Sequence, residues 1–181
     1  MNIFYLNEKA DIAAKQHVDK HVVKMIIEYA QLMSTAHRML DGKQWYDKTA
    51  NGRRIARWEH PEREKDAVLY KASHINHPSA IWARDSCANY EWLYSLWMNL
   101  CEEYTHRYGK VHLTQQKLQS ILGNPRSTLS KIRCPKFLKL CQKMLNNKTL
   151  SKHTKNIIVI ISLTWLSGQK EKLQSGITQH R

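Results

Sequence analysis

Residues 16–36 read QHVDKHVVKMIIEYAQLMSTA, and the fold turns on how this stretch is placed. It contains no Gly or Pro, so nothing inside it interrupts an α-helix. At about 100° per residue, His17, His21, Lys24, Glu28, Gln31 and Thr35 fall on one line. Val18, Val22, Met25, Ile26, Tyr29, Leu32 and Met33 form a broader face opposite, and Val23, Ile27 and Ala30 carry apolar character further round. A surface helix normally has a narrow apolar stripe and a wide polar face. Here the proportions are reversed and the narrow stripe titrates. The pattern predicts a helix buried on most sides whose remaining edge lines a cleft. The plainer reading is a solvated stripe, because Asp19 and Lys20 are polar and lie off the line.

Outward from this stretch, Asp11 is the better starting cap and Asp41-Gly42 the stop, so the first helix is expected over about 11–40. The run 2–6 before it suits an extended arm. Residues 43–64 are polar and basic without a sustained period, which predicts a long basic loop. Arg53, Arg54 and Arg57 beside Trp58 would suit a flap that grips a strand; a solvated loop explains them equally. His77-Pro78 opens a second helix, since Pro is favoured in the first turn. That helix is expected over 78–108, ending at Gly109. Lys71, His74, Asn76 and His77 precede its N-terminus and Arg84 follows within two turns, so cations and free N–H groups meet where a phosphate could bind. The expectation is an all-α, compact single domain: two long helices, the basic loop between them, a core domain over 1–125 and an irregular basic tail over 126–181.

The chain has 181 residues, enough for one substantial domain, and 42% hydrophobic content supplies a core. Six Trp and eight Tyr against two Phe favour rings with a polar handle, suited to half-buried surfaces and to stacking on bases. A formal charge of +14 predicts a polyanionic partner, with DNA preferred. A membrane surface is the competitor, weakened by the lack of an isolated basic amphipathic segment. No obligate protein partner and no coiled-coil seam are evident. Cys87, Cys101, Cys134 and Cys141 form no zinc spacing, and the start lacks a signal-peptide pattern. Free thiols and a cytoplasmic setting are expected. The apolar run 157–166 is too short to span a bilayer.

The sequences HVDKHVVKM (17–25), HINHPSAIWAR (74–84), NYEWLY (89–94) and EEYTHRYGKVH (102–112) together resemble a family of small phage-encoded proteins of unassigned activity. The resemblance covers roughly residues 1–125. More remotely, the layout is similar to the pyrimidine-dimer DNA glycosylases of the phage endonuclease V type. That likeness implies a basic all-α fold, DNA binding and base-excision repair chemistry. Gln16-His17 matches that family's Gln-His pair. Its catalytic Glu falls opposite Lys24, with Glu28 one turn on, and its nucleophile is the α-amine of a small first residue, where this chain has Met1 followed by Asn2. The tail departs from the first family. Reread in another frame with permissive codons, residues 136–181 can give that family's aromatic ending, which suggests a frameshifted segment.

Three chemistries compete. In a DNA glycosylase with abasic-site lyase activity, the leading expectation, Glu28 is the carboxylate that base excision needs beside the sugar. Lys24 is the Schiff-base amine, and His17 and His21, with His77, move protons. Lys20, Arg53, Arg54, Lys71, His74, Asn76, His77 and Arg84 hold DNA, and Trp82 or Trp92 stacks on the unpaired base. No cofactor is required. Lys24 and Glu28 also make an ordinary i,i+4 ion pair worth a few tenths of a kcal/mol, roughly. A metal-dependent nuclease would instead use His17, His21, His74 and His77 as a ligand cluster, without an HExxH motif. A non-catalytic nucleic-acid binder needs only the charge and the aromatics.

Overall fold

In the computed structural model, which describes residues 1–124, the longest helix is α2, Asp19–Asp41. It buries Val22, Met25, Ile26, Tyr29, Leu32 and Met33, the broad face expected from the sequence. Burial of each such side chain stabilises by about 1.5–3 kcal/mol. The preceding helix is short and separate: α1, Ala10–Lys15. The predicted continuous helix is therefore broken at residues 16–18. The reason lies far along the chain, where Arg107 donates to the carbonyls of Lys15 and His17 and to the Asp19 carboxylate. One guanidinium thus satisfies groups freed at the end of α1 and grips the start of α2.

After Gly42 the chain forms two antiparallel strands, β1 (Lys43–Lys48) and β2 (Arg54–Glu59), paired from Lys43–Glu59 to Lys48–Arg54. A one-and-a-half-turn helix follows, α3 (Arg63–Val68). The expected long loop is thus a hairpin and a helix, and the fold is helix-rich rather than all-α. Arg38, buried near the end of α2, holds this segment down. It donates to the carbonyls of Trp58, Asp66, Leu69 and Tyr70 and pairs with the Asp66 carboxylate.

The second predicted helix is also two: α4 (Pro78–Ala83) and α5 (Cys87–Tyr108). His77 caps α4 as expected, accepting from the Ser79 N–H with Pro in the first turn. Ser86 restarts the helix by accepting from the Asn89 N–H, while the Asn89 amide donates to the Trp82 carbonyl. Gly109 ends α5 in the left-handed region at φ 68°, which a side chain rarely adopts. The last described helix is α6 (Leu113–Leu122).

The core lies where α2 meets α4, α5 and α6, with α1 laid along α5. Tyr90, Leu93, Leu96, Trp97, Leu100 and Cys101 supply the α5 side. The Trp97 indole donates to the Ile26 carbonyl in α2, and the Trp92 indole donates to the Glu8 carbonyl. Ile3 and Phe4 of the N-terminal arm are buried in the same cluster. Cys101 is a buried free thiol, but Cys87 is disulfide-bonded, against the expectation of free thiols. Cys134, Cys141, the 157–166 run and the 126–181 tail lie outside the described residues. No helix among the described residues is long and apolar enough to cross a membrane.

Candidate functional site

The predicted polar line of α2 divides into different environments. Lys24 and Glu28 remain together, 3.3 Å apart, with Lys24 70% exposed and Glu28 17% exposed. The arm returns along α2 and brings the Met1 α-amino group to 3.9 Å from Glu28. The Phe4 N–H donates to the Tyr29 hydroxyl, and this bond fixes the arm's register. Glu28 is thus a half-sheltered carboxylate between two amines.

His77 joins this group from α4. Burial lowers its pKa, the Met1 amine and His74 lower it further, and Glu28 opposes them. Its Nδ1 is engaged by the Ser79 N–H, which leaves Nε2 as its exchangeable position. His74 is exposed and sits at φ 49°, a strained value for a residue with a side chain. The fold therefore brings Lys24 and His77 near Glu28, with His74 near His77. It adds the Met1 amine, which the sequence reading set aside.

Other predicted site residues have different roles. His17 is buried in the break between α1 and α2, not on the α2 stripe. Its Nδ1 donates to the Ala13 carbonyl, and its Nε2 meets the Tyr29 hydroxyl at 2.9 Å. Burial pulls its pKa down to about 4, so the ring is neutral at pH 7, with both nitrogens engaged inside the fold. His21 stacks on Phe4, ring centroids 4.7 Å apart. Trp82 is buried and packs edge-on against Trp92, so neither ring is presented to a base as expected. Arg84 donates to the Ile75 carbonyl at 2.7 Å and braces the segment before α4. Lys20, Lys71 and Asn76 are exposed, and Arg53 and Arg54 are exposed on the hairpin.

The imidazoles proposed as metal ligands do not converge. Among the described residues, the grouping close enough to hold an ion is His37, Asp41 and His60, with donor atoms within 4.8 Å of one another. This buried cluster escaped the sequence reading because its members come from α2 and from the end of the hairpin. Its chemistry argues against an ion. His60 Nδ1 accepts the Glu62 N–H, so the ring hydrogen sits on Nε2, 3.8 Å from Asp41. A metal on Nε2 would require that hydrogen to leave and the Glu62 bond to break. A separate cleft lined by Asp11, Lys15, Asn99, Glu102, Glu103 and His106 contains none of the predicted residues, and its three carboxylates do not suit a polyanion.

No family model, curated protein or solved structure matches this chain.

Proposed function

We propose that the protein binds DNA and removes a base at a site centred on Glu28. The observation that carries this reading is the Glu28 carboxylate held between the amines of Lys24 and Met1, beside His77, in a chain of net charge +14. A carboxylate there offsets positive charge developing on the sugar carbon as the base departs. One of the amines adds to that carbon as the bond to the base breaks. The proton lost by the amine passes through Glu28 to the departing base. Opening of the sugar ring, with a second proton of the initially charged amine passing through Glu28 to the ring oxygen as its bond to that carbon breaks, then gives a protonated imine, from which strand scission by elimination can follow. The Met1 side chain is packed down, 6% exposed against 70% for that of Lys24, and an α-amine is intrinsically less basic than a lysine amine. Lys24 and His74 lie at the exposed rim, suited to a phosphate.

Borohydride trapping tests the proposal. The protein is mixed with duplexes containing abasic sites or modified bases, and with ultraviolet-irradiated duplex. A covalent adduct is expected, mapping by peptide analysis to Met1 or Lys24, and Glu28→Gln should lose base release while still binding DNA. Absence of an adduct on every duplex, together with unchanged DNA binding in Glu28→Gln, leaves a non-catalytic binder and ends the base-excision reading.

A further inference from the structure

The hairpin has two unlike faces. The strand pairing places Lys43, Trp45, Asp47, Ile55, Arg57 and Glu59 on one side, with Gln44, Tyr46, Lys48, Arg54, Ala56 and Trp58 on the other. On the first side the charges cancel, two cations against two carboxylates, and Arg57 lies 3.6 Å from Asp47. The second side has two cations and no acid. There the Arg54 guanidinium lies over the Tyr46 ring, 3.5 Å from its centroid, although Tyr46 is 55% exposed. Arg53, also exposed, stands where the turn ends, and its backbone is tied to Thr49. The turn is tight because Gly52 adopts φ 73°.

We infer that the hairpin face bearing Tyr46, Lys48 and Arg54 docks on the phosphate backbone of duplex DNA. The inference rests on the DNA-binding reading above and deepens it by naming the element that grips the duplex. Charge complementarity selects the occupant: this face is cationic without an acid, and its opposite face is neutral. Along each strand, side chains of this one face recur at every second residue, about 6.8 Å apart, so the face presents its cations as a spaced row. Arg54 stacked on Tyr46 is a flat cation pre-set for a bidentate phosphate contact. The base of the hairpin is fixed by the bond from Arg38 to the Trp58 carbonyl, so contact at the tip is transmitted to α2.

The test compares two double variants that remove equal charge from opposite faces. Lys48→Ala/Arg54→Ala and Lys43→Ala/Arg57→Ala are each titrated with a fluorescent unmodified duplex by anisotropy at several salt concentrations. All positions are on the hairpin surface, and thermal scans confirm that both variants fold. Loss of two phosphate contacts should weaken binding and reduce the log–log salt slope by about two for the first pair. The second pair should leave affinity and slope near those of the unaltered protein. Equal loss in both pairs, no loss in either, or face-dependent binding of single strands but not duplex overturns the inference. Failure of borohydride trapping with these slopes intact would overturn base excision and leave the hairpin assignment standing.

Discussion

Acid should destabilise this protein well before its carboxylates titrate, through His17 and His37. Both rings are buried, and burial lowers each pKa from 6.5 to about 4. At His17 the bonding explains why a proton is unwelcome: the Tyr29 hydroxyl accepts from the Phe4 N–H and gives its own hydrogen to His17 Nε2, while His17 Nδ1 donates to the Ala13 carbonyl. His37 Nε2 donates to the Tyr90 hydroxyl, which donates to the Leu122 carbonyl, and burial of the ring outweighs the Asp41 carboxylate 3.9 Å from its Nδ1. In the unfolded chain each ring takes up a proton as pH falls through 6.5; in the folded chain it does so only near 4. The unfolded state therefore binds more protons in this window, and stability falls as pH falls. The contribution is complete above pH 6.5 and gone once pH drops through about 4. At about 1.4 kcal/mol per pH unit, each ring accounts for about 3 kcal/mol. The two together approach half of a typical domain stability of about 5–15 kcal/mol. Urea unfolding followed by far-ultraviolet circular dichroism at pH 7.5, 6.5, 5.5 and 4.5 measures the effect. The pH slope should reach at least two protons between 6.5 and 4.5, since His77 and His112 are lowered in the same direction, and His17→Phe or His37→Phe should each remove about one. A stability that stays flat from pH 7 to 5, or a slope unchanged in the double variant, refutes the reasoning. Asp66 does not blur the result, because bonds from His60 and Arg38 hold its carboxyl below its usual range.

Two further outcomes concern the attachment of the hairpin. Arg38→Met keeps the bulk of the side chain but leaves four backbone carbonyls and the Asp66 carboxylate without their donor, and should cost about 3–5 kcal/mol in urea unfolding; a loss below about 1 kcal/mol would show that water replaces the guanidinium. Gly42→Ala places a Cβ onto the Arg38 carbonyl oxygen and 2.9 Å from the Glu59 carbonyl oxygen, so a cost of about 1–3 kcal/mol is expected, and an unchanged midpoint would mean the turn relaxes freely.

What the sequence made legible was local. The apolar face of α2, the His77-Pro78 start and the Gly109 stop each depend on neighbours within a turn or two, and each is where it was expected. The breaks in both predicted helices were not seen, for different reasons. Arg107 acts on residues 15–19 from about ninety positions away, and no periodicity carries that information. Ser86 was a readable N-cap, but the apolar pattern on both sides of it hid the interruption. The hairpin was missed because neither face alternates clearly between buried and exposed. Asn51-Gly52 is nevertheless a strong turn signal between two runs containing Trp, Tyr and Ile. Giving it due weight would have replaced the loop with strands.

The candidate site shows how one helical line can serve several purposes. Thr35, at one end, is buried and accepts from the Ser73 N–H, while His17, at the other, belongs to the core. His21 is covered by Phe4. Lys24 is exposed, His21, Glu28 and Gln31 are half-buried, and Glu28 gains partners from two separate places, the arm and the start of α4. A solvated stripe would have left the whole line exposed, and a cleft along the helix would have kept the imidazoles together. Instead, His17 and Thr35 are buried at the two ends, and between them one carboxylate faces two amines. A lone exposed i,i+4 ion pair would need neither the arm nor His77. Their convergence on Glu28 is what separates a site from a surface pair, and it makes Glu28→Gln, rather than Lys24→Ala, the substitution that discriminates between them.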